Sequence, residues 1–288
     1  MAAKARTALI TGAAGGIGAC TAEEFARGGY TLILSDYDAS ALARATGKLR
    51  EAGALVHPFV VDVTEKGQVD AMAEEILERF GCLDVLVNNA GVGFSGELAQ
   101  TPIETWQRLM AVNLWGPLYH VYAFLPSMRG RRAGHIVNVS SGQAFFRLPT
   151  WGAYAATKLA LGAFSELLRF EVARQGIRVS TVYPYMVSTG FYAAMESATL
   201  AARMSLKLMP YYADTPEKVG RLIYQAVVKN KPVEMVNVLN TVGYYSRLLP
   251  PVSNALARVG TWLLTRGSDT QPAAAWRHQA PLGIEEAP

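Results

Sequence analysis

The sequence is poor in the residues that staple small folds or hold metals. Its two cysteines, Cys20 and Cys82, stand far apart without CxxC spacing, which argues against a disulfide framework or a thiolate zinc site and fits a reducing, cytoplasmic setting. The four histidines, His57, His120, His135 and His278, show no ligand spacing, so no metal is expected. An excess of one charge is lacking too: 27 basic and 23 acidic residues leave a formal charge of +4 spread along 288 residues. Without a basic stripe, nucleic acid is not an expected partner. The densest basic group, Arg129, Arg131 and Arg132, reads as the cationic end of a helix. No run of about 18 apolar residues offers a transmembrane helix, and the first strand-like run, beginning at Thr7, leaves no room before it for a secretory signal.

What is abundant is apolar surface, 51% of residues, enough to bury one large core. Short β-branched or apolar runs at 7–10, 31–34, 55–61, 85–87, 135–139, 177–182 and 233–236 read as strands. Amphipathic stretches at 17–27, 39–52, 66–80, 103–128, 152–175 and 216–229 read as helices between them. The strands are almost wholly apolar, as strands buried on both faces should be. The alternation predicts one α/β domain, a doubly wound parallel sheet of about seven strands with helices on both faces. Its core is read as residues 1–236, including a substrate-facing segment at 190–215, and residues 237–288 as an amphipathic extension with a frayed end.

Directly after the first strand comes Thr11-Gly12-Ala13-Ala14-Gly15-Gly16-Ile17-Gly18, and then a helix. Glycines at 12, 16 and 18 would let the chain turn tightly and bring a helix N-terminus against a dinucleotide pyrophosphate. The second strand ends in Ser35-Asp36, about 20 residues further on, where a carboxylate can accept from an adenosine ribose and repel the extra phosphate of NADP. NAD is therefore expected in preference to NADP. A helix cap is the other reading of Asp36, although Asp38 or Ser40 would serve as well. Asp62-Val63 closes the third strand and Asn88-Asn89-Ala90-Gly91 the fourth, at the strand ends where open α/β sheets bind ligands; Asn and Gly are also ordinary turn residues.

Tyr154-Ala-Ala-Thr-Lys158 places a phenol and an ammonium four residues apart on one helix face. A neighbouring cation favours the phenolate, lowering a pKa that starts near ~10 toward the range useful for acid–base work. Taken alone, the pair is more often a surface aromatic beside a snorkelling lysine. It is accompanied by Ser140-Ser141 at the end of the fifth strand, with Ser141 thirteen residues before Tyr154, and by Asn113 within the long helix at 103–128.

In this order, over about residues 6–236, the glycine turn, Asn88-Asn89-Ala90-Gly91, Asn113, Ser141 and Tyr154-x3-Lys158 resemble the short-chain dehydrogenase/reductase family. The resemblance implies a Rossmann-like fold and a nicotinamide cofactor held by Gly12, Gly16, Ile17, Gly18, Asp36, Asp62, Val63, Asn89, Ala90 and Gly91. Ser141 would polarise the substrate oxygen, and Tyr154 would give or take the proton. Lys158 would bind the nicotinamide ribose and lower the tyrosine pKa. Asn113 would distort its helix and hold a water relaying protons to Lys158. Tyr183 to Thr189 looks like the family's Pro-Gly turn at the nicotinamide, with Pro184, Val187 and Thr189 as cofactor contacts and Tyr185 in place of the usual glycine, reshaping the pocket wall. A homodimer or homotetramer is implied as well.

The expected activity is hydride transfer between NAD(H) and a hydrophobic secondary alcohol or ketone, with Ser141, Tyr154, Tyr185 and Phe191 at the substrate. An NADPH-dependent carbonyl or 3-oxoacyl reductase is the alternative, and a catalytically silent nucleotide sensor the alternative of another class. The apolar expectation comes from Phe191, Tyr192, Met195, Met204, Leu206, Leu208, Met209, Tyr211 and Tyr212, with Phe145, Phe146 and Trp151 flanking the chemistry. Residues 238–264, carrying Leu248, Leu249, Leu256, Val259, Trp262, Leu263 and Leu264 with Arg247 and Arg258 and broken by Pro250-Pro251, read as two short amphipathic helices. Peripheral contact with a membrane, cover over the substrate mouth and packing on another subunit stay open for them.

Overall fold

Successive side chains of a strand point to opposite faces, so a strand that is apolar throughout needs a core on each side. The computed structural model, which describes residues 5–145, 150–192 and 213–246, supplies both. Its strands are β1 (Thr7–Thr11), β2 (Thr31–Asp36), β3 (Val56–Val60), β4 (Val85–Asn88), β5 (Gly134–Val139), β6 (Ile177–Tyr183) and β7 (Val233–Met235). Ala8 and Ile10 of β1, Leu32 and Leu34 of β2, and Val85 and Val87 of β4 face one core with Phe25, Leu42 and Ile223. Leu9, Ile33 and Leu86 face the other, with Val69, Ile76, Phe124 and Val172.

The seven strands lie in the order β3-β2-β1-β4-β5-β6-β7, and every pairing is parallel. The chain winds from β1 out to β3, then crosses back to place β4 beside β1. That reversal opens a crevice at the C-terminal ends of β1 and β4, the place where doubly wound sheets take their ligands. β3 departs from the expectation of strands buried on both faces: as an edge strand it leaves Val60 57% exposed. Its central Pro58 is tolerated at an edge, where one less N–H costs little.

The helices are α1 (Gly16–Arg27), α2 (Ala39–Glu51), α3 (Lys66–Phe80), α4 (Ile103–Met110), α5 (Gly116–Arg131), α6 (Gly152–Val172), α7 (Pro216–Val228) and α8 (Val238–Ser246). Asp38 caps α2 by accepting from Ala41 N at 2.9 Å, which leaves Asp36 for another task. The stretch read as one helix at 103–128 is interrupted by a π-helical turn over Ala111–Trp115. The extra residue turns Asn113 inward, where its side chain both accepts from Val92 N and donates to Val92 O at 2.9 Å. Such single-turn bulges recur at functional sites.

Among the described residues no helix is long and apolar enough to cross a membrane. The first of the two helices expected at 238–264 is α8. The second, with Arg247, Leu248, Leu249 and the rest of the tail, lies outside the described residues, as do Phe146, Met195, Met204, Leu206, Leu208, Met209, Tyr211 and Tyr212.

Candidate active site

The crevice is a cleft of about 600 Å³ at the C-terminal edge of the sheet. Gly12, Gly16 and Ile17 line it from the first turn, Asp36, Asp62 and Val63 from the ends of β2 and β3, and Asn89, Ala90 and Gly91 from the end of β4. Ser141, Tyr154, Lys158, Pro184, Tyr185, Val187, Thr189 and Phe191 line the other half. Folding thus brings together residues up to 179 positions apart, from Gly12 to Phe191. Two of the expected residues stand behind the wall instead: Gly18 and Asn113, the latter fully buried. Tyr37, Thr64, Val92, Arg108 and Val112 also line the cleft and were not anticipated. Tyr37, Thr64, Val92 and Val112 sit next to Asp36, Val63, Gly91 and Asn113 in sequence, which is the signal that could have found them; Arg108 had none.

At the first turn, geometry is set by backbone groups. Gly12 has φ +63°, and a Cβ there would come within 2.8 Å of Ala90 Cα. A Cβ on Gly18 would run into the Gly12 carbonyl oxygen. Asn89 is no ordinary turn residue: its amide donates to Thr11 O at 2.9 Å and Gly12 O at 3.1 Å. Thr11 Oγ1 accepts in return from Asn89 N and Ala90 N, both at 3.0 Å. The Asp36 carboxylate accepts from Ala14 N at 2.9 Å and from Asp38 N at 3.1 Å, so a negative charge is held in place against the glycine turn. Asp62 Oδ1 accepts from Thr64 N at 2.9 Å and Thr64 Oγ1 at 2.8 Å, fixing the turn into α3.

At the other end the contacts run between side chains and distant segments. Tyr154 is buried, and the neighbouring Ser141 hydroxyl favours its ionised form. Lys158 Nζ donates to Val139 O at 3.0 Å and lies 6.0 Å from the centre of the Tyr154 ring. Ser140 donates its hydroxyl to Lys158 O at 2.7 Å and ties α6 to the end of β5. Thr157 Oγ1 donates to Tyr154 O at 2.8 Å and accepts from Asn113 Nδ2 at 3.1 Å. Asn113 Oδ1 and Lys158 Nζ converge above Gly91, at 3.2 and 3.3 Å from where its Cβ would stand.

The acid–base behaviour corrects the expected lowering of the tyrosine by Lys158. Burial pushes Tyr154 up to about 12, opposed by the Ser141 hydrogen bond, and pushes Lys158 down to about 8. Desolvation disfavours both charged forms, and at Tyr154 it outweighs the opposing influence of Ser141. The phenol therefore stands protonated across the neutral range. Burial likewise holds His120 and His135 neutral, each pushed down to about 4. Their ring nitrogens bond to Gly116 O and Ser180 Oγ, both at 2.8 Å.

Around Tyr154 the wall is aromatic. Trp151 meets its ring edge-on with centroids 5.8 Å apart, and Phe191 lies at 5.9 Å. Val92, Phe94, Trp106 and Leu109 complete this cluster. Phe145, expected beside the chemistry, packs on Tyr183 and Tyr244 at 4.6 and 4.9 Å and does not line the cleft.

The family model for short chain dehydrogenases matches residues 6–199. The chain is 34% identical over 261 residues to the probable oxidoreductase EphD of Mycobacterium tuberculosis, a match covering 87% of this chain but 44% of that protein. The chain thus spans less than half the length of that relative. Among solved structures, a short-chain dehydrogenase/reductase of Burkholderia phymatum in complex with NAD aligns with TM-score 0.75 and 32% identity, over 86% of this chain and 92% of the other. The alcohol dehydrogenase of Thermococcus sibiricus, complexed with 5-hydroxy-NADP, aligns with TM-score 0.70 and 27% identity, over 81% and 95%.

Proposed function

The chain belongs to the short-chain dehydrogenase/reductase family of oxidoreductases, and from that premise we propose that it interconverts hydrophobic secondary alcohols and ketones, using NAD(H). One observation carries the reading: a buried Tyr154 with the Ser141 hydroxyl beside it inside an aromatic wall, and Lys158 one helical turn on. The other half of the cleft fits a nicotinamide dinucleotide, since Gly12, Gly15 and Gly16 present bare backbone to it at the turn into α1, where a pyrophosphate can approach closely. When bound, that group supplies or accepts the hydride.

The chain's own residues handle the oxygen and its proton. Tyr154, protonated at neutral pH because burial holds its pKa near 12, is matched to giving a proton to a carbonyl oxygen as charge develops there. Ser141 is placed to donate a hydrogen bond to that same oxygen. Lys158, buried and titrating near 8, supplies positive charge beside the phenolate left after transfer. In the oxidising direction the same groups act in reverse. The choice of NAD over NADP rests on Asp36, whose carboxylate the N–H groups of Ala14 and Asp38 hold fixed, so that a ribose phosphate would meet a charge unable to swing away. The aromatic cluster of Trp151, Phe191 and Phe94 favours an apolar substrate.

The test is Tyr154→Phe, assayed by oxidation of 1-phenylethanol with NAD and reduction of acetophenone with NADH. Turnover should fall by about 10³-fold, within the usual range for losing a general acid–base group, while NADH affinity measured by fluorescence stays within about twofold. Substantial activity remaining in the variant would defeat the assignment.

A further inference from the structure

β6 runs into Tyr183-Pro184-Tyr185-Met186-Val187-Ser188, whose Pro184, Tyr185 and Val187 line the chemical end, and residues beyond the matched span 6–199 hold this stretch in place. Asp214 bridges to it as a one-residue strand: its N–H donates to Met186 O at 2.9 Å and its carbonyl accepts from Ser188 N at 3.0 Å. The Asp214 carboxylate accepts from Asn237 Nδ2 at 2.8 Å and Lys218 Nζ at 2.5 Å. Asn237 in turn caps α8, its Oδ1 accepting from Asn240 N at 3.0 Å. Asn240, fully buried, donates its amide to Tyr183 O.

The same side chain reaches the turn that carries Ser141. Asn240 Oδ1, without a hydrogen-bond partner among the described residues, fills the space that a Cβ on Gly142 would need. Tyr185 Cδ2 comes within 2.8 Å of that point. Gly142 N donates to Pro184 O at 2.6 Å. One buried amide on α8 therefore touches both segments that frame the Ser141 hydroxyl, and glycine at 142 is what lets it and the bulky Tyr185 in.

We propose that Asn240 is a positioning residue, fixing through Tyr183 and Gly142 where the Ser141 hydroxyl stands against Tyr154. This rests on the dehydrogenase reading of the cleft. Without the amide, the buried Tyr183 carbonyl loses a donor and a cavity opens beneath Gly142, so the Ser141 turn can drift from the geometry that the reaction needs. The glycine turn and Asp36, held by contacts among β1, β2 and β4, are untouched.

In Asn240→Ala, kcat for 1-phenylethanol should fall about tenfold, with KM and NADH affinity within about twofold. The same substitution placed in a Ser141→Ala background should cost less than about twofold more, because the group it positions is already gone. Amide hydrogen exchange at Gly142 should quicken in Asn240→Ala, a readout that needs no turnover. An undiminished tenfold loss in the Ser141→Ala background, an unchanged kcat, or unchanged exchange at Gly142 would each overturn the proposal. Should Asn240→Ala not fold, Asn240→Leu, which keeps the volume without the donor, takes the same measurements; failure of both to fold assigns Asn240 to stability and overturns it. If the wild type turns over neither 1-phenylethanol nor acetophenone, the substrate reading fails instead, and the exchange at Gly142 alone decides the bracing role.

Discussion

At the nucleotide end of the cleft, glycine backbone packs on backbone, Gly18 under Gly12 and Gly12 against Ala90, and the Asn89 and Asp36 side chains bond to peptide groups of the first turn. At the chemical end no glycine among the described residues packs on backbone in this way, and position is set by side chains, with Lys158 tied to β5, Asn113 reaching from a π turn, and Asn240 from α8. Backbone contacts tolerate no change of side chain and little motion. Side-chain braces tolerate both at a graded cost, which is how one nucleotide site can serve many substrates.

The sharpest way to break this comparison is Gly18→Ala. A single methyl forced onto the Gly12 carbonyl should weaken NADH binding about 100-fold, equivalent to the upper range of overpacking costs of ~3 kcal/mol. A fluorescence titration giving affinity within threefold of wild type would mean that backbone packing does not set this end. Next in size, Asp36→Asn keeps one carbonyl acceptor for Ala14 N or Asp38 N but removes the charge. The ratio of NADPH to NADH affinity should rise about tenfold, and a ratio unmoved in parallel titrations would take cofactor choice away from this residue. The smallest effect is expected at Ser140→Ala, which loses the bond to Lys158 O. Thermal unfolding should show a loss of about 1 kcal/mol, with kcat within about threefold. A fall in kcat of about 100-fold would instead name Ser140 as the reacting hydroxyl and reverse the roles of the two serines.

Much of the nucleotide end was legible before any coordinates. Gly12, Gly16, Gly18 and Asp36 sit in a strand–turn–helix whose meaning is local, and the apolar strand runs imply a sheet covered on both faces. Asp36 and Asp38 show the limit of that reading. Either could cap α2 on sequence grounds, and only the bonds from Ala14 N to Asp36 and from Ala41 N to Asp38 separate them. The chemical end was legible as residue types, Ser141, Tyr154 and Lys158, but not in its electrostatics. A cation four residues from a tyrosine suggests a lowered pKa, whereas enclosure on all sides raises it. Asn240 carried no signal at all, being one of three polar residues, with Asn237 and Thr241, at the start of a helix whose partners lie far away in sequence.

The sequence by itself determined the doubly wound sheet and the turn between β1 and α1, because apolar periodicity and the missing Cβ of glycine act over a few residues wherever the chain goes. Only the tertiary structure decided that Tyr154 stays protonated near neutrality and that α8 braces the turn bearing Ser141. Desolvation and close packing are properties of whatever atoms arrive from elsewhere in the chain, and no local pattern records their arrival.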